Sequence, residues 1–294
     1  MKTMAQKNQE EIRKVVKLEG SKIISYYQSI IFRFALVFFM IFFGSIVISF
    51  ATTYYSQGIL APNLTTSWNT LRGGGGSTPV NFTSGDVFVI QNGHNMTTSA
   101  AWSVSGINSK VWIESGGTLT ATSAITLAAA TTFQIDANGT YVHNNVAAYG
   151  STIFQAGTEA FDASSNVILN NSNTTGPSGV IFGNLIVNFT SDPGGSVNCA
   201  GGLKTINGNL DVQSTSTREF RLTGTTFVTL TIAKDLKISG GTLNIASGAG
   251  SVPAIKIGGN LNQTGGTLTS SFQSYNIHRW IINCSFNNRI WHIN

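Results

Sequence analysis

The sequence predicts an all-β fold, a right-handed parallel β-helix of about eight coils of 22–26 residues, preceded by an N-terminal hydrophobic helix. Three observations support this prediction: a repeat of nearly constant length, short strand-like runs between turn residues, and a composition rich in Gly, Ser, Thr and Asn. Charged residues make up only 10% of the 294 residues, against roughly 25% in an average soluble domain. A coiled coil, an ordinary helical enzyme and a charge-rich disordered chain are therefore excluded.

The N-terminal segment combines positive charge with an apolar run. The first 33 residues hold seven basic and three acidic residues, and residues 34–50 carry no charge. A run of 17 residues is near the lower limit for spanning a bilayer. Small Ser49 and Ala51 stand at the −3 and −1 positions of a signal-peptide cleavage site. We predict that residues 1–51 are a signal peptide cleaved after Ala51 or, alternatively, an uncleaved membrane anchor, and both place the body outside the cytoplasm.

The rest of the chain carries little net charge. After position 51 there are ten basic and nine acidic residues, so the pI of about 9.3 is mostly a property of the N-terminus. No basic stripe with interleaved aromatic residues occurs, so a nucleic-acid partner is not predicted. Membrane contact is expected only through residues 34–50. The two cysteines, Cys199 and Cys284, form no disulfide framework and no metal-ligand spacing, and no cofactor is predicted.

Residues 52–84 are predicted to form an N-terminal cap and a glycine-rich linker, and the repeats follow over residues 85–273. In the second half, the motif Ile-x-Gly-Asn-Leu recurs with leucines 25, 26 and 25 residues apart. Stacked coils bring such equivalent residues together about 4.8 Å apart. We therefore predict an inward leucine ladder with a polar ladder beside it at a corner. The two ladders consist of Leu185, Leu210, Leu236 and Leu261, and of Asn184, Asn209, Asp235 and Asn260.

The runs between the turn residues are short, β-branched and aromatic, as in 87–90, 111–113 and 228–232. Leucine-rich repeats share the period but require an LxxLxL pattern that this chain lacks. A β-sandwich requires antiparallel hairpins, which do not fix a repeat length so evenly. Parallel coils made only of strands fit the pattern best.

The last segment, 274–294, differs from the repeats because it contains neither Gly nor Thr. We predict that it is an atypical tail outside the solenoid, produced by a frameshift or a truncation. The alternative is a genuine apolar cap, which would cover the open strand edges at the end of a β-helix.

The repeat region resembles the β-helical repeats of large secreted, adhesin-like surface proteins of Gram-negative bacteria. The likeness covers residues 84–273 and is carried by SGDVFVI at 84–90, SGGTL at 115–119 and GNLDV at 208–212. The resemblance implies a β-helical fold and a presumed role in adhesion or in a surface layer. It also implies a truncated member, because such proteins usually continue much further.

Few residues have the pattern of a catalytic or metal site, and none is assigned to one. Glu114 and Asp136 occupy the same position of adjacent coils, where two carboxylates could bind Ca²⁺ or act as an acid/base pair. His94 and His143 have no Ser or carboxylate at a spacing typical of a triad. We therefore predict an exported, non-enzymatic surface protein, structural or adhesive, with carbohydrate or cell-surface ligands. The alternative is a polysaccharide lyase or glycoside hydrolase that uses the stacked carboxylates.

Overall fold

The computed structural model describes residues 3–43, 51–146, 158–224, 229–247, 254–270 and 282–284. The chain divides into two compact units, Met1–Phe50 and Ala51–Asn294. The first is helical and the second is a parallel β-solenoid, which confirms the predicted fold class.

The first unit contains a single described helix, α1, which runs from Met4 to Phe43. It begins well before the apolar run at 34–50, because residues 4–33 are rich in helix-favouring Lys, Glu, Gln and Ile and contain no proline. Among the described residues, no helix combines the length and the apolar character needed to cross a membrane. Positions 44–50 of the predicted apolar run lie outside the described residues.

The second unit is built from short strands with one 3-10 turn, Thr65–Ser67, after the first of them. The strands are β1 Thr53–Ser56, β2 Trp68–Asn69, β3 Val87–Ile90, β4 Asn95–Thr97, β5 Trp102–Val104, β6 Lys110–Ile113, β7 Thr118–Ala121, β8 Ile125–Leu127, β9 Thr132–Ile135, β10 Thr140–Asn144, β11 Thr158–Phe161, β12 Asn166–Asn171, β13 Ile181–Phe182, β14 Asn184–Asn188, β15 Val197–Asn198, β16 Thr205–Ile206, β17 Leu210–Ser214, β18 Phe220–Arg221, β19 Thr229–Ile232, β20 Leu236–Ile238, β21 Thr242–Asn244, β22 Ala254–Ile257, β23 Leu261–Gln263, β24 Thr267–Thr269 and β25 Ile282–Cys284.

Strands that pair belong to successive turns, so each pair joins residues about one repeat apart. The sheets have the orders β23-β20-β17-β14-β12-β10-β7-β4, β11-β9-β6-β3-β1-β2, β13-β16-β19-β22-β25, β15-β18-β21-β24 and β5-β8. Among the described strands every pair is parallel except β1 with β2. Within the predicted tail 274–294, the structure describes β25, which pairs with β22.

The solenoid has about six turns, so the predicted number of eight coils is wrong. Six turns place a strand in each of three sheets, whereas the two turns that begin with β9 and β11 do so in only two sheets within the described residues. The pairing partners Asn166 and Asn184 are 18 residues apart, whereas Leu185 and Leu210 are 25 apart. The predicted count assumed equal coils through this irregular middle and was therefore too high.

The interior is an apolar column that follows the solenoid axis. On one sheet, Phe88, Val111 and Phe133 are register partners on successive turns, and each is at most 1% exposed. Alternate residues of a strand point to opposite faces, so a coil with three short strands can direct one row from each sheet inward. Burial of these rows supplies the main stabilisation of the fold.

The N-terminal end of this column is closed by the segment that carries β2. Trp68 is fully buried, its ring lies 5.2 Å from that of Phe88 and 5.7 Å from that of Trp102, and its indole N–H donates to the carbonyl of Pro62 at 2.8 Å. β2 runs antiparallel to β1, so it ends the parallel sheet at this edge. The segment thus covers both the apolar interior and a strand edge.

The four leucines of the repeated motif are register partners on consecutive turns. Leu185 pairs with Leu210, Leu210 with Leu236, and Leu236 with Leu261. The first three are fully buried and Leu261 is partly buried against the same core. The equal repeat length therefore places identical side chains above one another in the interior.

A ladder of polar side chains runs beside the leucines. Asn184 Oδ1 accepts the backbone N–H of Asn209 at 2.9 Å, Asn209 Oδ1 accepts that of Asp235 at 3.0 Å, and Asp235 Oδ1 accepts that of Asn260 at 2.9 Å. The ladder includes one further residue, because Asn184 Nδ2 donates to Asn166 Oδ1 at 3.1 Å. The sequence motif did not reveal Asn166, since the short step of 18 residues breaks the period.

Asp235 is the weak point of this ladder. Asn209 uses its side-chain amide to donate to Asn184 at 3.1 Å, and a carboxylate cannot make the equivalent bond to Asn209. We expect Asp235→Asn to raise the free energy of unfolding by about 0.5–1.5 kcal/mol, the usual net value of one hydrogen bond. Urea unfolding measures the change, with Asp211→Asn on an outward position as the control. A gain no larger than that of the control would contradict this account.

Candidate functional site

Glu114 and Asp136 occupy equivalent positions on neighbouring turns. They follow Ile113 and Ile135, which are register partners on β6 and β9. Their carboxylates nevertheless bind different groups: Glu114 accepts two hydrogen bonds from the Arg72 guanidinium, at 2.5 and 2.9 Å, and Asp136 accepts one from the side-chain amide of Gln134 at 2.6 Å. Within the described ranges, no three His, Cys, Asp or Glu side chains are grouped to hold a metal ion.

Arg72 lies at the start of the glycine-rich stretch, which folds back on the first turns. The turn uses positive φ at Gly74 and Gly75, +84° and +83°, a conformation that glycine adopts without a Cβ clash. The side chain of Gln91 donates to the Arg72 carbonyl at 3.0 Å, and the Arg72 guanidinium lies 4.4 Å from the ring centre of Tyr55. Arg72 therefore joins the N-terminal segment to Glu114 across the first turn.

Beside Arg72, an outward-facing row of side chains follows the solenoid axis. This outer aromatic row consists of Tyr55, Val89 and Trp112, which are register partners on β1, β3 and β6. The two rings are half-buried and lie two turns apart, about 10 Å at the spacing of paired strands. Lys110 places its ammonium group 4.7 Å from the ring centre of Trp112. Aromatic faces, a cation and a bidentate ion pair are thus concentrated on one face.

Two features of the row leave polar groups available to a ligand. The indole N–H of Trp112 has no hydrogen-bond partner among the described residues. Lys110 makes no ion pair within that same part of the chain, whereas Arg72 is committed to Glu114. Arg72 remains 52% exposed and Glu114 is 16% exposed. The surface can therefore offer ring faces, one N–H donor and one positive charge.

The structure also gives His94 a partner that the sequence did not suggest. Ser56 Oγ lies 2.7 Å from His94 Nδ1, which also accepts the backbone N–H of Gly58 at 3.1 Å. Ser56 is fully buried and accepts the N–H of Gln91 at 3.0 Å, so the pair fastens the N-terminal segment and is closed to a substrate. Only strand pairing brings together residues that are 38 positions apart in the sequence.

The remaining candidates are structural. His143 is buried and lies 3.1 Å from the hydroxyl of Tyr141, whose pKa burial raises well above its ordinary value. Arg218 pairs with Asp192 at 2.9 Å, and this hydrogen bond lowers the pKa of the Asp192 carboxyl. The thiol of Cys199 is buried and free, and burial raises its pKa, so it stays protonated and unreactive.

Glu159 is a carboxyl group at a core position. It is the register partner of buried Phe133, and desolvation raises its pKa above the ordinary value of 4.5. The folded state therefore binds this proton more tightly than the unfolded chain, and stability falls as the pH rises from about 4.5 through the folded pKa. We expect Glu159→Gln to raise the thermal midpoint at pH 7 and to lose this gain below pH 4.5. A gain that does not depend on pH would contradict the assignment.

No protein-family model matches this chain, and no curated protein or solved structure matches it either.

Proposed function

We propose that the protein is an exported, non-enzymatic β-solenoid with an adhesive or structural role, and that its outer face binds carbohydrate. The observation that carries this proposal is the outer aromatic row, Tyr55, Val89 and Trp112, with Lys110 and Arg72 beside it. Export rests on the leader sequence, in which a basic segment precedes an apolar run and a small-residue cleavage pattern.

The row suits a sugar chain because its rings are held by paired strands. A ring fixed on a sheet loses little conformational entropy on binding, and its apolar face can stack on the C–H face of a sugar. The free ammonium of Lys110 adds attraction for a carboxylate, so acidic polysaccharides are the preferred class. Two rings about 10 Å apart along the axis would contact a chain that lies parallel to the solenoid.

Binding to polygalacturonate, with neutral dextran as the comparison, tests this ligand class on the full chain. We expect binding of polygalacturonate that weakens with salt, and a loss of about three- to tenfold in affinity for Trp112→Ala. Ile168→Ala, an apolar residue on the outer side of β12, is the matched control and should bind as the unaltered protein does. Equal affinities for Trp112→Ala and Ile168→Ala, or no binding at all, would refute the proposal.

A polysaccharide lyase or hydrolase is the second candidate, and it is favoured by the equivalent positions of Glu114 and Asp136. The hydrogen bonds of Glu114 to Arg72 and of Asp136 to Gln134 direct the two carboxylates to separate partners. We expect no turnover when polygalacturonate is incubated with the protein. Turnover that Glu114→Gln or Asp136→Asn abolishes would establish the enzyme and exclude the non-enzymatic role.

A further inference from the structure

A buried carboxylate stands at the first residue of the folded solenoid. Asp86 is only 6% exposed, and its Oδ1 accepts the backbone N–H of Thr52 at 2.9 Å. Among the described residues no lysine, arginine or histidine lies within ion-pair distance of Asp86. A buried carboxylate that meets only a neutral N–H is costly, because one hydrogen bond does not replace the lost hydration of a full charge.

The nitrogen that Asp86 contacts adjoins the predicted cleavage site. The sequence predicts a cut after Ala51, which makes the backbone nitrogen of Thr52 the first atom of the mature chain. The division between the two compact units falls one residue earlier, after Phe50. Ala51 is exposed, whereas the Thr52 carbonyl already accepts the N–H of Val87 at 2.9 Å. The folded unit therefore begins where the cut would leave a new N-terminus.

We propose that Asp86 is the receptor for the α-ammonium group that cleavage after Ala51 creates on Thr52. This inference rests on the proposed function, because it requires export with removal of the leader. Hydrolysis by a leader peptidase adds the hydroxyl of water to the carbonyl carbon of Ala51 and a hydrogen to the nitrogen of Thr52. That amine then takes a proton from solvent, and the charge-assisted bond to Asp86 supplies the cation that the buried carboxylate lacks in the uncleaved chain.

The arrangement makes the stability of the mature protein depend on pH. An α-ammonium held by a carboxylate is expected to titrate above the roughly 7.7–8.0 of an ordinary N-terminus. The stabilisation is then complete below that range and is lost as the pH rises through the higher, folded value. Tyr54 is the other titratable group beside Asp86; burial, and next the charge of Asp86, raise its pKa above 10.0.

The test uses protein recovered from outside cells that export the full chain. N-terminal sequencing should give Thr52, and NMR of the ¹³C-methylated N-terminal amine should give a titration above the ordinary range. Asp86→Asn should return that titration to roughly 7.7–8.0 and remove the loss of stability at alkaline pH. Asp136→Asn, a carboxylate in the corner after β9, is the matched control and should change neither.

The outcomes separate this inference from the proposed function. Protein that stays inside the cell or keeps Met1 in the membrane fraction lacks the new N-terminus and overturns the inference, and the former also removes the export on which the function depends. Export with a first residue other than Thr52 overturns the inference alone. So does an α-amine that titrates in the ordinary range in both the unaltered protein and Asp86→Asn. Binding of polygalacturonate is measured separately and is unaffected by either result.

Discussion

Leu210→Ala is expected to lower the free energy of unfolding by about 2–5 kcal/mol. Leu210 is fully buried between two identical side chains, Leu185 and Leu236, which are its register partners on the adjoining turns. The strands on both sides hold the backbone in place, so the interior cannot collapse around the missing methyl groups and a cavity remains. Chemical denaturation measures the loss.

The control for this change is Lys237→Ala, which removes an outward side chain from the neighbouring strand β20. It should change stability by no more than about 0.5 kcal/mol. Because stability in a solenoid sums over neighbouring turns, hydrogen exchange should show the loss from Leu210→Ala most strongly in β14, β17 and β20. A loss below 1 kcal/mol would mean that the leucine ladder is not part of a close-packed core.

Trp68→Ala is expected to be comparably damaging, with a loss of about 3–5 kcal/mol. Trp68 covers the first turn, is in contact with the rings of Phe88 and Trp102, and lies on the strand that ends the first sheet. Its removal exposes the apolar interior to water at an end where no further turn can replace it. Amide hydrogen exchange should accelerate in β1 and β3 before it does so in the later strands.

Two substitutions in the same segment give this prediction its reference. Leu71→Ala removes an exposed side chain close to Trp68 in sequence and should have a small effect. Trp68→Phe keeps most of the apolar volume and loses the hydrogen bond to Pro62, so it should cost less than alanine. Equal stability of Trp68→Ala and Leu71→Ala would show that this segment does not close the solenoid.

Much of the fold could be predicted because the repeat encodes it directly. Equal spacing of Leu185, Leu210 and Leu236 already implies that they meet on consecutive turns, since only a constant coil length produces a constant step. The candidate surface could not be predicted in this way. Tyr55 lies outside the repeated motif, and its place beside Val89 and Trp112 depends on β1 joining the sheet ahead of the first full turn.

The sequence by itself determined the parallel coils and the placement of Glu114 and Asp136 on neighbouring turns. Only the tertiary structure decided what each polar side chain binds: Arg72 reaches Glu114, Ser56 reaches His94, and Asp86 reaches the nitrogen of Thr52. The reason is physical. A period in sequence fixes which residues are stacked, because strand pairing repeats with the coil. The partner of a side chain from a non-repeating segment depends instead on the path of that segment across the surface, for which the sequence has no period.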